Sequence, residues 1–130
     1  MSVVVDASVL VAALIDSSQR GAWAEDVLIS GSLHAPELAR VEATNILRRL
    51  ERSKNISSAE ANSALDDLMQ LNLETFGFDP FAERIWDLRH TITSYDAWYV
   101  ALAEALQLPL ATLDTKLAKS RSAKCRFLTP

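Results

Sequence analysis

Three consecutive valines, Val3-Val4-Val5, run directly into Asp6, and of the nine residues from Ala7 to Ile15 only Ser8 is polar. A β-branched run with no polar alternation is a strand covered on both faces, which is the situation of strands in parallel sheets wrapped by helices. Asp6 stands where a helix cap belongs, so the segment reads as a buried strand, Ser2 to Val5, turning into a helix from Ala7 to Ile15. It does not read as a secretory signal, because no Lys or Arg precedes it and Asp6 and Ser8 interrupt it.

The rest of the chain keeps alternating. A helix is expected from Gln19 to Ser30, ended by Gly31, then a short strand from Ser32 to Ala35. Pro36 suits the first position of a helix running to about Arg52, with the apolar stripe Ala39, Ala43, Ile46, Leu47 and Leu50. Ser57 or Ser58 caps a helix to about Leu71, and Leu73 to Phe76 reads as a strand. Asp79-Pro80 reads as cap and first residue of a helix to about Arg89, and Thr93 or Ser94 caps a strongly apolar helix to Leu106, whose stripe Trp98, Ala101, Leu102 and Ala105 is expected in the core. Leu110 to Thr112 is a buried strand, Asp114 starts a short helix, and Cys125 to Leu128 makes a last edge strand. Strands alternating with helices imply parallel pairing, right-handed crossovers and helices on both sheet faces, with ligands at the carboxyl ends of the strands. The fold class is therefore α/β.

At 130 residues the chain fits a single domain, 1–130, with enough length for a substantial core. Almost half of it is apolar (49%), with three Gly, four Pro and no repeat or low-complexity tract, so order throughout is expected. A lone Cys125 excludes an internal disulfide and a cysteine-based zinc cluster and fits a reducing cytoplasm, and His34 and His90 are too few and too isolated for a triad or a histidine metal site.

Chemistry concentrates in four acids. Asp6, Glu42, Asp96 and Asp114 each lie at or near a helix start with no Lys or Arg three or four positions away on either side. Asp6, Asp96 and Asp114 can be read as helix caps or first-turn acids. Glu42 sits beside the apolar stripe of its helix, with Leu38, Ala39, Asn45 and Ile46 where an ion-pair partner would be. Carboxylates gathered at buried element ends repel one another unless protons or a divalent cation neutralise them, which points to a magnesium-type site. Glu42, Asn45 and Arg49 share one strip of helix, suited to an ion ligand, a hydrogen-bonding support and a phosphate contact.

Ten of the thirteen Lys and Arg residues fall in two windows, Arg40 to Lys54 and Lys116 to Arg126, each beside one of the acids. Basic segments flanking an acidic centre suit a phosphodiester backbone held over metal ions, although charge runs are also ordinary solvated faces. The formal charge of -4 equals the contribution of the four acids alone, so bound divalent cations would reverse the local sign where nucleic acid must approach.

Four segments together resemble the PIN-domain family, and within it the VapC-type ribonuclease toxins of toxin-antitoxin pairs. They are Val3 to Leu10, Pro36-Glu37-Leu38 through Val41 to Leu47, Tyr95 to Ala103, and Leu110 to Asp114 followed by Lys116-Leu117-Ala118. The resemblance implies a three-layer α/β/α fold around a central parallel sheet and an acidic pocket of Asp6, Glu42, Asp96 and Asp114 binding magnesium or manganese. It implies hydrolysis of RNA to 5'-phosphate and 3'-hydroxyl ends, with Ser8, Asn45 and Thr112 supporting the acids or the metal's waters. Arg49, on the strip with Glu42 and Asn45, and Lys116, in the basic window beside Asp114, are the residues expected to contact nucleic acid or antitoxin. The resemblance also implies a homodimer in the cytoplasm and a cognate antitoxin whose C-terminal segment covers the pocket. Some members carry a further acid four residues beyond the position of Asp114, where this chain has Ala118. A haloacid-dehalogenase-like phosphatase would need an aspartate where Ser8 stands, and a non-catalytic PIN-like RNA-binding or scaffold module would not need the full acid set.

Overall fold

The computed structural model describes all residues, 1–130. Five short strands, β1 (Val3–Val5), β2 (Leu33–Pro36), β3 (Leu73–Phe76), β4 (Leu110–Ala111) and β5 (Phe127–Leu128), form one sheet in the order β3-β2-β1-β4-β5, with every pair parallel. Seven helices flank it: α1 (Ala7–Ile15), α2 (Gln19–Ile29), α3 (Ala39–Arg52), α4 (Ser58–Gln70), α5 (Ala82–Asp87), α6 (Ser94–Leu106) and α7 (Thr115–Ala118). Strand order runs one way from β1 to β3 and then jumps back to β4, so right-handed crossovers place α1 to α4 on one face and α5 to α7 on the other. The reversal falls between β1 and β4, the switch point where open parallel sheets form their ligand crevice.

The doubly covered sheet explains the valine run: Val3, Val4 and Val5 are all fully buried. Local caps formed as their residue types dictate. Asp6 accepts from Val9 N at 3.2 Å, Thr93 Oγ1 accepts from Asp96 N at 3.2 Å, and Ser57 with Glu60 makes a reciprocal capping box. Helix α6 is buried almost all round, from Ala97 through Tyr99 to Ala103, because it packs on β1, β2 and β4 as well as on α5. Of its expected core stripe Ala101 and Leu102 are buried and Trp98 is half-buried, but Ala105 is exposed, one turn past the end of the sheet contact.

One proline reading is corrected and another amended. Pro36 does not open a helix; it is the last residue of β2, paired with Phe76, and Glu37 N carries the ladder on to Phe76 O at 2.9 Å. Its missing N–H is tolerated at a strand end, and α3 starts at Ala39 without a side-chain cap. For Pro36, pairing with β3, forty positions away at Phe76, outweighs the local signal. Pro80 does lie in the first turn of a helical segment, the 3₁₀ helix Asp79–Phe81 that runs directly into α5, but the Asp79 side chain caps nothing and α5 ends at Asp87 rather than near Arg89. The last strand is shorter than expected, Phe127–Leu128 in place of Cys125 to Leu128.

The helical hairpin that carries the first acid is closely packed. Gly21 on α2 faces the end of α1 so closely that a Cβ there would lie 1.7 Å from the Asp16 carbonyl oxygen. Gly21→Ala should therefore destabilise the chain by at least about 1–3 kcal/mol, read as a lower urea midpoint at unchanged m-value; an unchanged midpoint would show that α1 and α2 slide apart freely.

Candidate active site

Asp6, Glu42, Asp96 and Asp114 line one open cleft of about 360 Å³ at the carboxyl end of the sheet, together with Ser8, Asn45, Arg49 and Tyr99. Each arrives by a different element. Asp6 follows β1, Glu42 lies in the first turn of α3, Asp96 in the first turn of α6, and Asp114 follows β4. None has a cationic partner, since the structure contains only two ion pairs, His34–Glu74 and Arg84–Glu104.

Asp6 is the most constrained of the four, with only 8% of its surface exposed. Its Oδ1 accepts from Ser8 Oγ at 2.5 Å and from Val9 N, and its Oδ2 accepts from Thr112 Oγ1, so one of roughly four acceptor sites stays free. The same two hydroxyls tie the far loop down, Ser8 Oγ accepting from Leu113 N at 3.2 Å and Thr112 Oγ1 from Asp114 N at 3.0 Å. Asp114 spends one oxygen, Oδ1, capping α7 through Lys116 N and Leu117 N, which leaves Oδ2 without a protein partner. Capping and facing the cleft are therefore compatible.

Glu42 is held by Tyr99, to which the sequence assigned no role of its own. Tyr99 Oη donates to Glu42 Oε1 at 2.7 Å, and burial, with the neighbouring Glu42 carboxylate, pushes the phenol far above its ordinary range, so it remains a donor. The signal available in the sequence was a hydroxyl on an otherwise apolar helix, one turn after Asp96. Ser8 and Thr112 do bond an acid, as the resemblance implied; Asn45 lines the cleft and bonds none of the four. Arg49 borders this cleft, whereas Lys116 lines an adjoining one and Arg40, in the same basic window as Arg49, is engaged structurally, donating to Leu71 O at 2.8 Å.

Burial raises the proton affinity of Asp6, Glu42 and Asp96. The acids add to one another's shifts: Asp96 raises Asp6, Asp96 and Asp6 raise Glu42, and Asp114 raises Asp96. No three acidic, His or Cys side chains converge tightly enough to cage an ion by themselves. Magnesium does not require a cage, because it keeps several waters and takes one or two carboxylates plus substrate phosphate oxygens. An open cleft whose charged donors are all hard carboxylate oxygens fits magnesium or manganese and does not fit a soft thiolate-seeking metal.

The PIN domain family model matches residues 3–121, from the first valine of β1 to the loop beyond α7. The chain belongs to the PIN domain family. It is 37% identical over 123 residues to VapC ribonuclease Mb0985 of Mycobacterium bovis, covering 95% of this chain and 94% of that protein, and 39% identical over 125 residues to Ribonuclease VapC1 of Mycobacterium tuberculosis, at 95% and 94% coverage. Among solved structures, this PIN domain is similar to PAE2754 from Pyrobaculum aerophilum, with a TM-score of 0.74 at 25% identity over 98% of this chain and 83% of that one. FitAB bound to an IR36 DNA fragment (TM-score 0.69, 18% identity, 98% of this chain and 94% of that one) has the same fold.

The pH dependence of this PIN domain follows from the signs of the three shifts. The folded, ion-free chain holds these protons more tightly than the unfolded chain. The contribution of the cluster to stability is thus fully present below the ordinary values of 3.8 for Asp and 4.5 for Glu and is lost as pH rises through the raised ones. In EDTA at neutral pH, Asp96→Asn should melt at a higher temperature than the wild type and should lose that advantage below about pH 4. Adding magnesium or manganese should raise the wild-type Tm more than that of the variant. Thermal unfolding across pH checks this; an Asp96→Asn protein no more stable than wild type in EDTA would remove the crowding argument.

Proposed function

We propose that this PIN domain is a metal-dependent endoribonuclease, the toxin of a toxin-antitoxin pair, working as a cytoplasmic homodimer. The observation that carries the reading is the set of four unpaired carboxylates lining one oxygen-rich cleft at the switch point of the sheet. Its closeness to VapC ribonucleases over nearly the full chain supports RNA as the substrate, and likeness to VapBC2 from Rickettsia felis (TM-score 0.66, 16% identity, 99% of this chain and 98% of that one) supports a paired partner through the shared fold. No helix is long and apolar enough to cross a membrane.

Asp6, Glu42, Asp96 and Asp114 would hold magnesium or manganese. The ion, when bound, acidifies water for in-line attack on phosphorus and neutralises charge on the phosphate. The residues of the chain supply position and charge. Ser8 and Thr112 fix both oxygens of Asp6, and Tyr99 fixes Glu42, so these carboxylates meet their ligand already oriented. Asp114 is fixed through the backbone of α7. Arg49 stands at the rim, where a phosphate oxygen crossing the cleft would meet a guanidinium. The antitoxin would act by covering this same rim.

Three measurements test the proposal. Asp96→Asn keeps size and removes charge, so purified variant protein should cut no RNA while keeping a native circular dichroism spectrum; cleavage at the wild-type rate, or wild-type cleavage in excess EDTA, would end the reading. Tyr99→Phe leaves Glu42 in place without its donor and should lower kcat/KM by roughly 10- to 100-fold, with more metal needed for half-maximal rate; an unaltered metal titration would make Tyr99 a core residue only. Arg49→Ala should weaken RNA binding about equally across sequences and reduce the slope of log affinity against log salt by about one, and a retained slope would return Arg49 to the solvated face.

A further inference from the structure

Past Asp96 and Asp114 the carboxylate cleft opens into a second one, of about 450 Å³, whose other walls carry Thr91, Thr93, Lys116, Ser120, Arg121 and Ser122. Asp96 and Asp114 are the only residues common to both clefts. The second cleft therefore begins where the carboxylates end. Its remaining chemistry is two cations and a row of hydroxyls, and neither Lys116 nor Arg121 has a carboxylate partner, because the only ion pairs lie elsewhere.

The outer wall of this cleft is built rather than loose. Arg84 on α5 donates to both oxygens of Glu104 on α6, Nε to Oε1 at 2.7 Å and Nη2 to Oε2 at 3.1 Å, and Nη2 also donates to Ser122 O at 3.0 Å. Glu104 Oε2 accepts from Lys124 N at 2.7 Å, so the fork grips the loop after α7 at two points. Across the floor, the hydroxyls of Thr91 and Ser122 lie 2.7 Å apart and those of Ser120 and Ser122 3.1 Å apart. A bidentate, half-buried pair held this way is among the stronger polar contacts a surface loop can have. Arg84 and Glu104 line neither cleft and bear on the second one through Ser122, which lines it.

We propose that the second cleft is a subsite for a backbone phosphate of the RNA next to the bond being cut, contacted by Lys116 and Arg121 over the hydroxyl-lined floor of Thr91, Ser120 and Ser122. This rests on the nuclease reading and deepens it. The Ser120, Ser122 and Thr91 hydroxyls bond in a chain that ends on Leu88 O, so the two unpaired cations supply the recognition of an oxyanion, and a phosphate there sets the strand's register without reading a base. Asp96 and Asp114 at the border keep the phosphate off this edge until divalent cations offset them, so substrate entry and metal loading are coupled by charge.

The test compares Arg121→Ala and Lys116→Ala with Lys119→Ala, an exposed cation of the same basic window that does not line this cleft. Single-turnover cleavage against RNA concentration, with magnesium at several salt concentrations, should show KM raised about tenfold by Arg121→Ala with the maximal rate little changed. The salt slope of binding should fall by about one for each single variant and about two for the pair, while Lys119→Ala moves neither quantity. Equal effects from Lys119→Ala, or an unaltered KM and slope in the double variant, would overturn the subsite and assign these cations to a protein partner. Binding is measured separately on Asp6→Asn protein, whose changed residue does not line this cleft. RNA binding that depends on Arg121 there, with no cleavage by the wild type, would keep the subsite and end the nuclease reading.

Discussion

Burying a carboxylate is costly, and Asp6, only 8% exposed, is accommodated because two hydroxyls and a backbone amide converge on it and offset part of the desolvation that raises its proton affinity. Those hydroxyls belong to Ser8, in the first turn of α1, and Thr112, just after β4, and each also accepts an amide from the β4–α7 turn. One acid thus fastens the two loops that border the switch point. Removing the Thr112 hydroxyl would leave Asp6 Oδ2 without a donor, removing that of Ser8 would leave Oδ1 with Val9 N alone, and either change would free an amide of the turn that presents Asp114. The position of Asp114 relative to β1 depends on this junction.

The remaining acids show what such a site costs in stability. Burial raises the proton affinity of Glu42 and Asp96, Asp96 and Asp6 add to the shift of Glu42 and Asp114 to that of Asp96, and neither acid forms an ion pair. A chain selected for stability alone would place an Arg or Lys among them, as it does at Glu104, where Arg84 pulls the carboxyl below its ordinary range despite burial. Sites that must bind a cation keep their charges unpaired and accept the repulsion. The contrast within one protein, a paired buried glutamate on α6 and unpaired acids at its amino end, separates structural from chemical use of the same functional group.

The basic residues divide along the same line. Arg40 and Arg84 hold backbone carbonyls of distant segments, Leu71 and Ser122, and act as braces. Arg49, Lys116 and Arg121 stand free beside the two clefts. An acidic chain can in this way present cationic walls on both sides of an anionic centre, which is the pattern a polyanion held over bound cations requires.

The sequence by itself determined whatever is fixed within about one helical turn or one sheet period: the doubly buried valine strand, the caps at Asp6, Ser57 and Thr93, the stripe of α3, and the absence of local partners for four acids. These depend on hydrogen bonds and side-chain spacings among neighbours in the chain, and the chain displays its neighbours. Tertiary structure decided the rest. The strand order that makes β1 and β4 adjacent, the Thr112 bond to Asp6 across 106 positions and the Tyr99 bond to Glu42 across 57 have no local trace. Pro36 went the other way for the same reason: it carries a strong local preference for a helix start and was overruled by pairing with Phe76, forty positions away, whereas Pro80, with no such partner strand, kept its place in a first helical turn. Local chemistry fixed which groups would be unsatisfied, and only the packing of five parallel strands fixed that they would be unsatisfied in the same place.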